Sequence, residues 1–151
     1  HGLSIGSGMA LAKKMDGENS RVFIILSDGE CNEGSIWEAA MYAAHKKLNN
    51  LVVIVDDNKM QAMGKGSEIN AVEPLAEKWQ SFGWAVQEID GHNVEEIVSA
   101  CEKLSPAQPN AIVAHTVLGK GVSFMEDRIL WHYQIPSDEQ VKIALVELKL
   151  S

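Results

Sequence analysis

Asp28 and Asn58 are the residues of this chain whose type and placement best suit chemistry. Asp28 sits in Ser27 Asp28 Gly29 Glu30, directly after the apolar run Val22 Phe23 Ile24 Ile25 Leu26. Asn58 sits in Asp56 Asp57 Asn58 Lys59 Met60, directly after a second run, Leu51 Val52 Val53 Ile54 Val55. Each side chain offers oxygen to a hard divalent cation such as Mg²⁺ or Ca²⁺, an ion that is often shared with the phosphates of a ligand. Gly29 permits close approach of backbone amides, and a helix that follows it points its amino end at the same place. A metal-bridged diphosphate fits such a site. Taken singly, Asp28 and Asn58 are also what strand ends and turns use. The pair carries the inference.

That pairing depends on the elements around it. Both apolar runs have the length and β-branched character of strands, and a helix between them makes a right-handed crossover that sets the two strand ends side by side. In an open parallel sheet the carboxyl ends of strands form the rim where ligands bind. Ser35 Ile36 Trp37 Glu38 has the form of a capping box and places the crossover helix from about Ser35 to Lys47, with Trp37, Met41, Ala44 and Leu48 on one side. Asn49 Asn50 resembles a ligand pair but precedes its strand, which puts it on the opposite rim.

Elsewhere the pattern alternates in the same way. Residues from Leu3 to Met15 have helical spacing at Ile5, Met9, Ala12 and Met15, with small Gly6, Ser7, Gly8 and Ala10 that suit close packing. Lys59 to Asn70 reads as a functional loop. Glu73 Pro74 Leu75 opens a short helix that carries Leu75, Trp79 and Phe82 inward. A third strand spans Trp84 to Asp90, and Asn93 with Glu96 caps a helix that runs to about Leu104. A fourth strand spans Ala111 to Val117, and Ser137 to Gln140 caps a terminal helix with Val141, Ala144, Leu145 and Leu148 inward. Strands alternating with helices predict an α/β fold, a doubly wound parallel sheet with helices on both faces, forming a single domain over 1–151.

Composition narrows the function classes. A length of 151 residues with 46% hydrophobic content suffices for one core. The formal charge of -8 argues against a general nucleic-acid or anionic-membrane surface. No apolar run approaches a membrane span. Cys31 and Cys101 lack a CxxC spacing, which points to a reducing cytoplasm rather than to zinc or a disulfide framework.

The segments Leu26 Ser27 Asp28 Gly29 Glu30 Cys31 Asn32 Glu33 Gly34 and Val55 Asp56 Asp57 Asn58 Lys59, with Thr116 Val117 Leu118 Gly119 Lys120 Gly121 and Trp131 His132, resemble the transketolase family. Its thiamine diphosphate motif is a GDG triplet followed about thirty residues later by an NN or DN pair. Ser27 stands where that family usually has its first glycine. The resemblance implies the thiamine diphosphate-binding fold, and the diphosphate-binding half of an enzyme that moves a two-carbon ketol unit from a ketose phosphate to an aldose phosphate. It assigns Asp28, Asn58 and the main-chain carbonyl of Met60 to Mg²⁺ or Ca²⁺, and Asp28, Gly29, Glu30, Asn58 and His132 to the cofactor. His132 and Glu33 take catalytic roles, His132 near the substrate and Glu33 near a dimer interface that links two active sites. His1 matches a position near the cofactor, and Lys120 is a candidate for attracting phosphate. The chain begins inside a family motif, as if a longer protein had lost its front. A pyrimidine-binding partner subunit is expected to supply the other half of a homo- or hetero-oligomer. Another thiamine diphosphate enzyme, such as a deoxyxylulose phosphate synthase or a dehydrogenase component, and a non-catalytic cofactor-binding module stay open as alternatives.

Overall fold

The computed structural model describes residues 1–150. Its centre is a four-stranded sheet, all parallel, built from β1 (Val22–Ser27), β2 (Leu51–Asp57), β5 (Ala85–Asp90) and β6 (Asn110–His115) in the spatial order β1-β2-β6-β5. The inner strands β2 and β6 are buried along almost their whole length, as their unbroken apolar runs require. The short antiparallel hairpin β3 (Met60–Gln61) and β4 (Gly64–Lys65) stands outside the sheet, in the loop after β2, and leads into a single helical turn, α3 (Gly66–Ile69).

Successive residues of a strand face opposite ways, and the two cores follow that alternation. Val53, Val55, Ala111 and Val113 pack on one face with Leu3, Ala10, Ile36, Ala40, Leu75 and Trp79. These come from α1 (Gly2–Met15), α2 (Gly34–His45) and α4 (Leu75–Ser81). Val52 and Ile112 pack on the other face with Ala100 of α5 (Val94–Glu102). The chain moves across the sheet from β1 to β2 to β5 with its helices on one side. It then steps back to β6, and a right-handed return places α5 on the other. Helices therefore cover both faces of a parallel sheet.

Local details depart from the periodicity in three places. First, α1 buries its small face, Leu3, Gly6, Ser7 and Ala10, and leaves Ile5, Met9 and Met15 exposed. The reason is close approach: a Cβ on Gly6 would lie 2.5 Å from the Ile24 side chain of β1. Second, α2 begins at Gly34 with Glu33 as N-cap, so Ser35 lies inside the first turn and does not cap it. Third, of the residues expected inward on α6 (Asp138–Glu147) and its C-cap, Ala144 is half-buried but Val141, Leu145 and Leu148 are exposed. Its cap does form as the sequence indicates, with Ser137 and Gln140 bonded reciprocally. The Asn93 cap of α5 also forms, and that helix ends at Glu102.

An aromatic cluster ties α2 and α4 to the start of β5. Trp79 lies 5.3 Å from Trp37 and 4.8 Å from Trp84 between ring centroids, and the Trp84 indole donates to the Ala40 carbonyl. The Trp37 indole donates to the Cys31 carbonyl at 2.7 Å, which anchors the turn after β1 to this cluster. Among the described residues no helix is long and apolar enough to cross a membrane.

Candidate functional site

The sheet delivers its polar residues to one rim because the parallel ladders continue one step past the strands. The Asp28 amide donates to the Asp56 carbonyl at 3.1 Å, and the Thr116 amide donates to the Asp57 carbonyl at 3.2 Å. Asp28, the Asp56 to Asn58 segment and Thr116 thus stand abreast. This is the juxtaposition that the crossover requires.

After β1 the chain makes a 3-10 turn, Gly29–Asn32, whose start is closed by two reciprocal bonds. The Ser27 amide donates to Glu30 Oε2 at 3.0 Å, and the Glu30 amide donates to Ser27 Oγ at 3.1 Å. Ser27-x-x-Glu30 is therefore the working capping box of this region, a pattern present in the sequence but overshadowed there by Ser35-x-x-Glu38. Asp28 is buried within the turn and its Oδ1 accepts the Gly29 amide at 2.8 Å. Burial raises the Asp28 carboxyl above the usual aspartate range; the Gly29 hydrogen bond opposes the shift, and the nearby Asp57 and Asp56 charges add to it. At Gly29 an added Cβ would only touch Gln61 Cγ, at 3.4 Å. The chain's own packing leaves room for a methyl there, so the glycine is not demanded from inside.

After β2, Lys59 adopts φ 62°, a left-handed conformation that reverses the chain between Asn58 and Met60. Asn58 Oδ1 accepts the Met60 amide at 2.9 Å and keeps a second lone pair. The strained residue is held at its far end. Lys59 Nζ donates to Asp57 Oδ2 at 2.6 Å and also pairs with Glu73 at the approach to α4. Burial works against the Lys59 charge, but its hydrogen bonds to Asp57 and Glu73 prevail and hold its pKa above the ordinary lysine value.

Two cavities open on this rim. The larger, about 610 Å³, is lined by Asp28, Asp57, Asn58, Met60 and Thr116 among others, so the three expected metal ligands share one cavity. The smaller, about 340 Å³, brings together Ser27, Gly29, Glu30, Glu33 and His132, with Asn58 and Met60 common to both. His132 reaches it from a 3-10 turn, Ile129–His132, far along the chain. Lys120 and His1 line neither cavity, and Lys120 is paired with Glu126 at 3.2 Å.

One group here has no counterpart among the sequence-predicted site residues. Buried Asp57 accepts from both Lys59 and His115, whose Nδ1 lies 2.8 Å from Asp57 Oδ2 while its Nε2 lies 3.0 Å from Glu88. Parallel register pairs Asp57 with His115, a relation that no local spacing encodes.

Donor chemistry decides whether a cation and a diphosphate fit. One carboxylate, one amide oxygen and a main-chain carbonyl are hard oxygen donors, few enough that an ion would complete its shell with phosphate oxygens. The surroundings carry surplus negative charge: Asp57 Oδ1 is buried without a partner, and Asp28 is driven towards its neutral form. Gln61, whose Cγ and Cδ lie against Gly29, has a buried Nε2 donor without an acceptor, beside Gly66. These residues fit a metal-bound diphosphate.

Comparison with known proteins gives a concordant result. Residues 2–145 match the family described as transketolase, thiamine diphosphate binding domain. The chain is 47% identical over 150 residues to the 6-deoxy-6-sulfo-D-fructose transketolase subunit of Clostridium sp. (strain MSTE9), covering 98% of this chain and 54% of that protein. It is 41% identical to an apulose-4-phosphate transketolase subunit of Actinobacillus succinogenes, covering 99% of this chain and 54% of that protein. It thus spans about half the length of these relatives. The crystal structure of transketolase from Campylobacter jejuni superposes with a TM-score of 0.91 at 27% identity, covering 99% of this chain and 25% of that one.

Proposed function

The chain belongs to the transketolase family as a thiamine diphosphate-binding domain, and from that premise we propose that it is the diphosphate- and metal-binding half of an enzyme that moves a two-carbon ketol unit from a ketose phosphate to an aldose phosphate. One observation carries this reading: Asp28, Asn58 and Met60, from the ends of two adjoining parallel strands, line a single cavity.

In this reading the Asp28 carboxylate, the Asn58 amide oxygen and the Met60 carbonyl hold Mg²⁺ or Ca²⁺. Gly29 presents main chain to the diphosphate, and Glu30 lines the same cradle. The chemistry that bound thiamine diphosphate supplies is that of an electron sink for breaking and making a carbon–carbon bond. His132 lines the cavity that holds Gly29, and in this reading it bonds a substrate oxygen. Glu33 is exposed at the N-cap of α2, a position from which it can reach a neighbouring protomer.

A pyrimidine-binding subunit is the proposed partner, in a homo- or hetero-oligomer. Support comes from the relatives' names, since both are subunits. Those names also specify sugars with an anionic group, a sulfonate in one and a phosphate in the other, so an anionic ketose is the proposed substrate class. Cys31 and Cys101 are both free, in keeping with a cytoplasmic setting.

Calorimetric titration with thiamine diphosphate tests the proposal. Binding is expected with Mg²⁺ and lost on its removal. Ketol transfer is expected only when the pyrimidine-binding subunit is added. Turnover by the isolated chain, or cation-independent binding, would overturn it.

A further inference from the structure

Asn58 can turn either end of its amide towards a cation, and only the oxygen is a ligand. A flipped amide would aim N–H donors at the ion instead. Two neighbours with opposite bonding roles decide the orientation. The Met60 amide, which can only donate, bonds Asn58 Oδ1 at 2.9 Å, and the Asp56 carboxylate, which can only accept, takes Asn58 Nδ2 through its Oδ2 at 3.4 Å. A flip would set donor against donor at Met60 and acceptor against acceptor at Asp56. Asp56 is held in its turn, because its other oxygen, Oδ1, accepts the hydroxyl of Thr116, the residue that follows β6. The Thr116 methyl packs so closely on Gly91, just after β5, that a Cβ on Gly91 would collide with it, which limits the directions open to the hydroxyl.

We propose that Asp56 and Thr116 are positioning residues of the cation site. Thr116 holds the Asp56 carboxylate, and Asp56 holds the Asn58 amide with its oxygen free for the ion. Both act through Asn58, as groups behind a metal ligand commonly do. The inference deepens the metal- and diphosphate-binding reading above and rests on it.

The experiment is calorimetric titration of thiamine diphosphate in the presence of Mg²⁺ into the native chain and into Asp56→Ala, Asp56→Asn, Thr116→Val, Thr116→Ser and Asp56→Ala/Thr116→Val. Asp56→Ala is expected to weaken binding about ten-fold, the scale of a lost outer-shell partner. Asp56→Asn gives up the charge but keeps an oxygen for Asn58 Nδ2, so its loss should be clearly smaller. Equal losses in the two variants would make charge the role of Asp56 and overturn the proposal. Thr116→Val keeps the shape and removes the hydroxyl. It should weaken binding, more than Thr116→Ser does, and should add nothing in the Asp56→Ala background. Losses that simply add would overturn the link from Thr116 through Asp56. Without cofactor, NMR should show the Asn58 side-chain amide hydrogens exchanging faster in Asp56→Ala and in Thr116→Val than in the native chain. Unchanged exchange in Asp56→Ala overturns the positioning role, whatever the affinity does. A native chain that takes up no thiamine diphosphate with Mg²⁺ overturns the proposed function itself, and this role with it. Failure of the positioning role alone leaves native binding intact.

Discussion

At the amino-terminal rim of the sheet, Asn49, Asn50 and Asn110 spend their amides on the chain itself. Asn49 donates to the Pro106 carbonyl, Asn50 to the Ala10 carbonyl, and Asn110 bonds Ser105 and Gln108. These bonds close turns, and the rim leaves only the neutral Asn50 Oδ1 buried without a partner among the described residues. At the carboxyl-terminal rim the bonds are as numerous but the charges do not cancel. Asp28 and Asp57 are both buried, Asp57 Oδ1 has no partner, and the pKa of Asp28 is raised. The same sheet therefore has one end where polar groups hold the fold and one where they are in excess. Buried unsatisfied charge costs stability, and a rim that retains it is arranged for something other than its own folding.

Asp28→Asn gives the sharpest break in this contrast. It should lower Mg²⁺-dependent affinity for thiamine diphosphate by at least about 100-fold, the upper end of what an outer-shell partner alone commands. It should also stabilise the cofactor-free chain, because a carboxylate whose burial is unfavourable becomes a neutral amide. Calorimetry and thermal melting read the two effects, and a variant that loses both affinity and stability would erase the distinction between the rims.

Cys31 reports the acidity of the carboxyl rim from below. Burial, with the Asp28, Glu30 and Asp57 carboxylates, pushes its thiol up to about 12. Iodoacetamide at pH 8 should therefore modify Cys101 well before Cys31, as mass spectrometry of the labelled peptides would show. The sign for stability follows from the proton count. Folding keeps the proton on Cys31 while the unfolded chain loses it above its ordinary pKa of 9.0, so the contribution is intact below that pH. Stability should fall by at most about 1.4 kcal/mol per pH unit as pH rises from about 9 to about 12.

Lys59→Met leaves Asp57 with only His115. A loss of about 1 to 2 kcal/mol is expected, less than for a fully buried pair because Lys59 is half exposed. Denaturant unfolding would check it, and affinity should fall too as the left-handed turn between Asn58 and Met60 loosens. On the other rim, Asn50→Ala should cost about 1 kcal/mol for its bond to Ala10, with cofactor affinity unchanged. A shift in affinity from that distant end would show that the rims are not independent.

Much of this contrast is legible in the residues. The apolar runs before Asp28 and Asn58 require strands, the stretch between them requires a crossover, and the parallel direction that a crossover gives the two strands requires Asp28 and Asn58 to share a rim. Asn49 Asn50 goes to the other rim by the same reasoning. His132 and Glu33 enter only through a resemblance, since nothing in their local spacing brings them to Gly29. The residues misplace the start of α2, because Ser35-x-x-Glu38 has the form of a capping box while the box that closes is Ser27-x-x-Glu30 at the preceding turn, and α2 itself starts after Glu33. The apolar residues of α1 and α6 that stand exposed look inward by periodicity, because periodicity marks a face without stating what covers it.

Local chemistry, then, determined the element types, the strand ends and the oxygen donors, because hydrophobic period, turn formers and ligand hardness are properties of short segments. The tertiary fold alone decided that Asp57 meets His115, that His115 in turn meets Glu88, that left-handed Lys59 is pinned to Glu73, and that residues of the turn after β1 line one cavity with His132. Those relations depend on strand register and on how loops from distant parts of the chain close over a common edge, and no window of the sequence contains both partners.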